Sequence, residues 1–280
     1  MKPGIESQTA ILVCKGRAVA HGKKWLEDPT ALVLLPPEAR ERVQRFLQGE
    51  SPRGLKSGFE HGSMGSTARL MVPRTLAIDE AVRQAACPQL VILGAGLDGR
   101  AWRMADLQDT VVFEVDHPDS QRQKRLRSAP LQQAAREVRF VPVDFTKDSL
   151  DEALAAAGHD PTLPTTWIWE GVVMYLKREA IESTLSVIAR RSSPGSRITI
   201  AYHGPSLMRL FVGLLVRRMG EPLRSSFSAD EMRALLSKYG FSVVWDEDIT
   251  TLGARLSSEI VLAARMLRHE RMVTADHQSK

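Results

Sequence analysis

The clearest sign of a functional site in this sequence is the spacing between two glycines and an acidic residue. Gly94 and Gly96 follow the apolar run 90–93, and Asp116 ends a second apolar run, 111–115. Glycine lets the backbone turn sharply and approach a ligand where a side chain would clash. A carboxylate about 20 residues beyond such a loop, at the end of the next strand, can accept hydrogen bonds from both hydroxyls of a ribose. The spacing therefore predicts a site for an adenosine-containing cofactor and leaves its class open.

Two cofactor classes fit the glycine loop. Residues Gly94 to Gly99 match the G-x-G-x-x-G fingerprint of dinucleotide-binding proteins, so a nicotinamide or flavin enzyme is one interpretation. Asp98, however, would place a carboxylate close to two phosphates, which is electrostatically unfavourable. S-adenosylmethionine has no phosphate, its sulfonium and amino groups are cationic, and its carboxylate could bind Arg69 or Arg74 just before the first strand. The charges favour S-adenosylmethionine.

Alternating strands and helices from residue 89 onward must position these groups, and the alternation indicates an α/β fold with a doubly wound parallel sheet. Two strand-like runs near the C-terminal end, Phe241–Asp246 and Glu259–Arg265, predict a terminal antiparallel hairpin, with residues 247–258 as its loop. The remaining predicted strands are 89–94, 110–115, 138–143, 166–170 and 196–202, and the predicted helices lie near 118–128, 149–157, 178–191 and 229–238.

Residues 1–88 contain no run typical of a parallel strand, so they predict a helical N-terminal extension packed on the sheet. The helices expected there are 7–22, 37–48 and 74–86, with a Gly-, Ser- and Pro-rich loop at 49–66. The cofactor-binding domain should span 89–268, with an insertion at 204–227 and a polar, frayed tail at 269–280.

Composition narrows the partners and the compartment. The net charge of +5 and pI near 9.4 arise from scattered basic residues, which favours a solvated surface over a nucleic-acid site. Cys14 and Cys87 lie among apolar neighbours and predict buried thiols in a reducing compartment. The longest apolar stretch, Leu207–Val216, is well short of the ~20 residues of a membrane span, and the N-terminal residues lack the apolar core of a signal peptide. We therefore expect a cytoplasmic protein that does not act on membranes, and the spacing of the histidines predicts no metal site.

Several motifs together resemble the leucine carboxyl methyltransferase family, which includes protein phosphatase methyltransferases and bacterial polyketide carboxyl O-methyltransferases of the tetracenomycin type. The matching segments are Leu93-Gly-Ala-Gly-Leu-Asp-Gly-Arg-Ala-Trp-Arg103, Phe113-Glu-Val-Asp-His-Pro118, Ser7-Gln-Thr-Ala10 with Glu27-Asp-Pro29, Arg74-Thr-Leu-Ala-Ile-Asp79, Val143-Asp-Phe145 and Trp169-Glu-Gly-Val-Val-Met-Tyr-Leu176. The resemblance implies a class I methyltransferase fold, Rossmann-like, with a seven-stranded mostly parallel sheet. It also implies S-adenosylmethionine as the cofactor and S-adenosylhomocysteine as its product.

The same resemblance implies roles for individual residues of the cofactor site. Arg74, favoured over Arg69, should hold the cofactor carboxylate, and Glu170 should lie near the amino group and the transfer point unless it only caps a helix. The other implied cofactor-binding residues are Gly94, Ala95, Gly96 and Asp98 near the methionine part, Asp116 and His117 at the ribose, Asp144 and Phe145 at the adenine, and Gly171 beside Glu170.

The acceptor decides whether a catalytic base is needed. A carboxylate is already ionised at neutral pH, whereas a phenol or alcohol needs a base within hydrogen-bond reach. Tyr175, Tyr202 and His203 follow predicted strands and are the candidate bases. Because such sheets bind ligands at the carboxyl ends of their strands, these three positions lie on the expected side.

The insertion 204–227 is apolar on more than one face and predicts a lid over a hydrophobic acceptor. Its candidate acceptor contacts are Met208, Phe211, Leu215 and Met219. Flexible methionines suit a bulky apolar ligand. Three functions stay open: an O-methyltransferase acting on a small hydrophobic natural-product acid or hydroxyl, a methyltransferase acting on a protein C-terminal carboxylate, and a non-catalytic cofactor-binding protein.

Overall fold

The computed structural model describes residues 7–50, 55–145, 147–205, 223–256, 260 and 269–278. Its strands are β1 (Gln89–Leu93), β2 (Val111–Asp116), β3 (Glu137–Pro142), β4 (Thr165–Trp169), β5 (Arg197–His203), β6 (Phe241–Asp248) and β7 (Glu270–His277). The described helices are α1 (Gln8–Gly22), α2 (Thr30–Leu34), α3 (Pro37–Leu47), α4 (Leu55–Ala85), α5 (Arg100–Arg103), α6 (Pro118–Ser128), α7 (Leu150–Ala156), α8 (Arg178–Arg190), α9 (Ala229–Lys238) and α10 (Ile249–Ala254). Short 3₁₀ turns lie at Ala105–Leu107 and Val173–Tyr175.

All seven strands form one sheet in the order β3-β2-β1-β4-β5-β7-β6. Strands β1 to β5 are parallel, and β7 inserts antiparallel between β5 and β6. The parallel strands β1 and β4 are buried at every residue, as expected when both faces of a sheet are covered. The predicted α/β fold with a mostly parallel seven-stranded sheet and an antiparallel terminal pair is confirmed.

Two cores cover the faces of the sheet, and a third core joins the N-terminal helices to the glycine loop. Phe113 and Trp167 belong to the core on one face, and Val112 and Ile168 belong to the core on the other. The third core includes residues of α1 to α4 together with Leu97 of the glycine loop. The N-terminal helices therefore pack directly against the loop that follows β1.

The predicted loop 49–66 is wrong from residue 55 onward, because α4 begins at Leu55 and continues to Ala85. Its glycines disfavour a helix, but tertiary packing overrides that preference. Met64, Ala68 and Met71 are buried at helical spacing, and a Cβ on Gly16 of α1 would lie 2.8 Å from the Met71 side chain. These contacts pack α4 against α1 from Met64 onward.

The C-terminal prediction is wrong in three places. Residues 249–254 form α10 where a loop was predicted, and the last strand is β7 at 270–277 instead of 259–265. Of 259–265, the structure describes only Ile260, which is helical. The supposed frayed tail 269–280 therefore contributes a strand to the sheet.

Cross-strand ion pairs explain why the sequence of β7 looks like a polar tail. Arg197 of β5 contacts Asp276 at 2.6 Å, and Arg271 contacts Asp246 of β6 at 2.9 Å. These cross-strand pairs neutralise the charges that made the segment appear solvent-exposed.

In the part of the chain that the structure describes, no helix is long and apolar enough to cross a membrane.

Candidate active site

The glycine loop after β1 adopts the sharp turn that its sequence predicts. The backbone nitrogens of Gly94 and Ala95 both donate to the Val115 carbonyl, at 2.8 and 3.0 Å. Gly94 has a φ of +69°, and a Cβ there would lie 2.3 Å from Cγ2 of Val172. No side chain fits at this position, so glycine is required for the turn and for the packing of Val172 against the loop.

Asp116 closes the glycine loop from the neighbouring strand. Its Oδ2 accepts a hydrogen bond from the Gly96 nitrogen at 2.5 Å, and its Oδ1 accepts one from the His117 nitrogen at 2.6 Å. Burial raises the pKa of the Asp116 carboxyl, although both backbone donors favour the charged form. His117 caps the N-terminus of α6, and its Nδ1 accepts a hydrogen bond from the backbone nitrogen of Asp119 at 3.3 Å. The two residues implied at the ribose therefore lie together at the end of β2.

Arg74 lies between two carboxylates that come from distant parts of the chain. Its Nε donates to Glu170 at 2.8 Å and its Nη1 donates to Glu270 at 2.6 Å. Its Nη2 is buried and has no hydrogen-bond partner in the described part of the structure. Burial lowers the pKa of the guanidinium, but Glu270 and Glu170 outweigh burial and raise it. Arg74 is thus a fixed cation with one donor nitrogen still available.

Arg100 holds the other side of Glu170 and also pairs with Asp98. Its Nη1 contacts the second oxygen of Glu170 at 3.3 Å, and its Nε donates to Asp79 at 2.7 Å. Arg100 further contacts Asp98 through its guanidinium and through its backbone nitrogen. Burial alone would raise the pKa of the Asp98 carboxyl, but Arg100 lowers it well below its usual range. Asp98, expected near the cofactor, therefore has its charge balanced inside the protein.

These contacts belong to one buried network of charged side chains. Arg103 joins it through Asp79 at 2.7 Å, and Arg17 joins it through Asp28 at 3.4 Å while donating to the Leu97 carbonyl of the glycine loop. The network consists of Arg17, Arg74, Arg100 and Arg103 with Asp28, Asp79, Asp98, Glu170 and Glu270. Four cations and five anions leave this network with one net negative charge.

Asp144 and Phe145 follow β3 at the same edge of the sheet. The Asp144 carboxylate lies 3.4 Å from the Lys147 ammonium, and its backbone nitrogen donates to Asp148 at 2.8 Å. The Phe145 ring is 40% exposed, although most large apolar side chains of this fold are buried. An exposed aromatic ring beside a carboxylate offers a flat ligand both a stacking surface and a hydrogen-bond acceptor.

The leucine carboxyl methyltransferase family model matches residues 10–189 of this chain. The chain belongs to the leucine carboxyl methyltransferase family. It is 35% identical to a protein of Mycolicibacterium gilvum named "Putative S-adenosyl-L-methionine-dependent methyltransferase", over 77% of this chain and 71% of that protein. The protein is therefore an S-adenosylmethionine-dependent methyltransferase. This membership confirms the predicted family and sets aside the nicotinamide or flavin interpretation.

Two solved structures support the fold of this family member. A protein of the duf574 family from Streptomyces avermitilis superposes with a TM-score of 0.61 at 12% identity, covering 94% of this chain and 97% of that one. A "putative methyltransferase" from Thermobifida fusca gives 0.56 at 14% identity, covering 94% of each chain. At these identities the likeness shows the fold alone, and that fold is the class I methyltransferase fold.

The arrangement in this methyltransferase distinguishes the two candidate carboxylate-binding arginines. Arg74 lies in the charged network, whereas the Arg69 guanidinium lies over the Trp25 ring, 5.1 Å from its centroid. Five residues of helix separate the two arginines by about 7 Å along the axis of α4. The geometry favours Arg74.

The three candidate bases have different surroundings. The Tyr202 ring is buried, and its hydroxyl donates to Asp246 at 2.6 Å. Burial raises the pKa of the Tyr202 hydroxyl, and Asp246 raises it further, which opposes a role as a base. His203 packs edge-on against His269, with 4.9 Å between ring centroids. Tyr175 is half-buried in the 3₁₀ turn after β4.

The lid candidates Met208, Phe211, Leu215 and Met219 lie outside the described residues. The segment that follows them returns to the site edge of the sheet. The Arg224 nitrogen donates to the Met174 carbonyl at 2.8 Å, and the Phe227 nitrogen donates to the His203 carbonyl at 3.0 Å. The C-terminal end of the insertion is therefore anchored beside the carboxyl ends of β4 and β5.

Sequence reasoning missed Arg100, Asp79 and Glu270 as parts of the site. Arg100 and Asp79 stand inside motifs that carry the family resemblance, so their presence in those motifs was the available signal. Glu270 gave no such signal, because it lies in a segment that resembled a polar tail. The structure places it at the start of β7, opposite His203 in the register.

Proposed function

We propose that this enzyme transfers a methyl group from S-adenosylmethionine to a carboxylate of a small hydrophobic acceptor. The observation that carries the proposal is the state of Arg74, a buried cation at the carboxyl ends of β4 and β5 whose Nη2 has no partner in the described structure. A buried donor without a partner costs about 1–3 kcal/mol, so a ligand carboxylate that accepts its hydrogen bond is stabilised there.

The charge of the site supports the same cofactor. S-adenosylmethionine carries a carboxylate, an ammonium and a sulfonium, and therefore one net positive charge. The buried network around Arg74 carries one net negative charge. Gly94 supports the tight turn that ends the loop at this edge, because its φ is positive and Val172 fills the space where a side chain would lie.

The chain's own residues divide the binding task. We infer that Arg74 holds the cofactor carboxylate, Glu170 the amino group, and Asp116 the ribose hydroxyls, with the adenine between Asp144 and Phe145. The cofactor supplies a methyl group already activated by its sulfonium. Glu170 is held by two arginines, so its position does not depend on ligand binding. Such preorganisation lowers the entropic cost of aligning the two reactants.

A carboxylate acceptor is supported by the state of Tyr202. Its hydroxyl already donates to Asp246, and its pKa is raised by burial, so it is a poor proton acceptor. A carboxylate acceptor needs no proton acceptor, because it is ionised at neutral pH. The apolar lid sequence 204–227 with Met208 and Met219 supports a bulky hydrophobic acid from secondary metabolism. Cys14 and Cys87 are free and buried, which supports a reducing, cytoplasmic location.

The experiment follows methyl-labelled S-adenosylmethionine into a panel of hydrophobic organic acids, with mass spectrometry of the products. A carboxyl ester should release labelled methanol after alkaline treatment, whereas a methyl ether should keep its label. Peptides that end in a free carboxylate test the protein-directed alternative in the same assay. Base-stable product from every accepted substrate would overturn the carboxylate assignment, and labelling of peptides alone would overturn the small-molecule assignment.

A further inference from the structure

Glu270 contacts the proposed cofactor arginine from the last strand of the sheet. It is 4% exposed and accepts a hydrogen bond from Arg74 Nη1 at 2.6 Å. Glu170 accepts the Nε hydrogen bond of the same guanidinium at 2.8 Å. Two of the three guanidinium nitrogens are therefore held by carboxylates, one after β4 and one on β7.

A guanidinium is planar, and its N–H groups point in fixed directions within that plane. Once carboxylates hold Nε and Nη1, the plane of Arg74 is set and the direction of Nη2 is set with it. Nη2 is the nitrogen that is buried without a partner in the described structure. The two carboxylates thus determine where the remaining donor points.

A second arginine–carboxylate pair at the other end of β7 shows what a purely structural pair looks like. Arg197 donates to Asp276 through Nε at 2.6 Å and through Nη2 at 2.9 Å, and its Nη1 contacts Gln84 at 3.3 Å. All three nitrogens of Arg197 are satisfied within the protein. Arg74 differs because its Nη2 is buried and has no partner in the described structure.

We propose that Glu270 is a positioning residue that orients Arg74 for the carboxylate of the cofactor. The inference rests on the proposed function, in which Arg74 binds that carboxylate. Glu270 itself need not touch the cofactor. Its charge and its hydrogen bond hold the guanidinium so that Nη2 points toward the ligand before binding, which reduces the ordering cost on association.

The test compares two ligands that differ only in the carboxylate. S-adenosylhomocysteine contains it, and S-adenosyl-3-thiopropylamine is the same molecule without it. Isothermal titration of both ligands into wild type and E270Q gives the preference for the carboxylate. E270Q should weaken S-adenosylhomocysteine binding by about 5-fold or more, because the Gln oxygen can still accept from Arg74 but only through a neutral hydrogen bond, which is about half as strong as a charge-assisted one. Binding of the decarboxylated ligand should change by less than about 3-fold, since its contacts do not involve Arg74.

D276N is the matched control, because it removes the charge of the other arginine partner on the same strand. It should leave the preference between the two ligands unchanged. Equal loss of both ligands in E270Q, or unchanged binding of S-adenosylhomocysteine, would overturn the positioning role. If E270Q does not fold, E270D carries the test: it keeps the charge but shortens the side chain, so the preference should fall, and an unchanged preference would overturn the proposal.

Failure of the proposed function gives a different result. Wild-type protein that binds neither ligand would contradict cofactor binding itself, and the positioning role with it. Wild-type protein that binds both ligands equally would contradict the role of Arg74 as well as that of Glu270. Only a wild-type preference for the carboxylate that persists in E270Q would overturn the role of Glu270 alone.

Discussion

Replacing Gly94 with alanine should destabilise the protein through two separable effects. The backbone at Gly94 has a φ of +69°, where an L-residue costs roughly 1–2 kcal/mol. The new Cβ would also lie 2.3 Å from Cγ2 of Val172, far inside contact distance, and overpacking of this kind costs about 1–3 kcal/mol. We expect G94A to lower the free energy of unfolding by about 2–5 kcal/mol, a large share of the ~5–15 kcal/mol that holds a typical domain together.

Two further variants separate these effects. G49A is the matched control, because Gly49 has a similar φ of +74° and a Cβ there meets nothing within 4 Å. It should lose only the backbone part, about 1–2 kcal/mol. V172A removes the methyl group that G94A would contact, so the double variant G94A/V172A should show a favourable coupling of about 1–3 kcal/mol.

The assay is urea unfolding followed by tryptophan fluorescence, which reports on the buried Trp167 and Trp169 of β4. Equal losses in G94A and G49A would refute the steric part of the reasoning. Additive effects of G94A and V172A would refute the contact between these two residues. A change in m-value alongside the change in midpoint would indicate an altered denatured or native state and would have to be resolved before the energies are compared.

Four other measurements test the site and its surroundings. D116N should weaken S-adenosylhomocysteine binding by about 10-fold or more, because it removes the charge that accepts the ribose hydroxyls, and unchanged affinity in titration calorimetry would contradict the ribose role. Y202F should cost about 1–3 kcal/mol in urea unfolding, because it removes the hydrogen bond that the hydroxyl donates to Asp246 and the one that it accepts from Arg271. It should change the methyl-transfer rate by less than about 2-fold, whereas a large rate loss at unchanged stability would make Tyr202 a base. Burial raises the pKa of Glu114 from 4.5 to about 7, so between pH 4.5 and pH 7 the folded state binds more protons than the unfolded state. The free energy of unfolding should therefore fall as the pH rises from 4.5 to 7. In a series of unfolding curves across this pH range, E114Q should show a smaller fall. Burial also raises the pKa of Cys14 to about 11, so a thiol reagent at pH 8 should label it only after denaturation, and rapid labelling of the native protein would contradict its burial.

The parallel part of the sheet could be predicted because its strands have a direct signature. Both faces of β1 and β4 are covered, so each reads as a continuous apolar run bounded by turn residues. The end of each run then places Gly94, Asp116 and Glu170 at one edge of the sheet. The edge of the sheet that we propose for the cofactor can therefore be predicted from local sequence together with the family motifs.

Helix α4 and strand β7 could not be predicted in the same way, because their stability depends on distant partners. The glycines of α4 favour a loop locally, whereas Met64 and Ala68 of the same helix are buried in the core shared with α1. The polar residues of β7 resemble a tail until Arg197 and Asp246 pair with them. Both errors arise where tertiary contacts override local preference.

The proposed cofactor arginine depends on the same kind of distant contact. Along the chain, about one hundred residues separate Arg74 from Glu170, and about one hundred more separate Glu170 from Glu270. Both carboxylates nevertheless lie within hydrogen-bond distance of Arg74. Sequence motifs identified Arg74 and Glu170 but could not identify the partner on β7. Strand β7 lies between β5 and β6 and runs antiparallel to β5. Its first residue therefore lies beside the carboxyl end of β5, at the edge of the sheet that we propose for the cofactor. The antiparallel strand that completes the sheet therefore also completes the buried charge network that fixes the proposed carboxylate-binding donor.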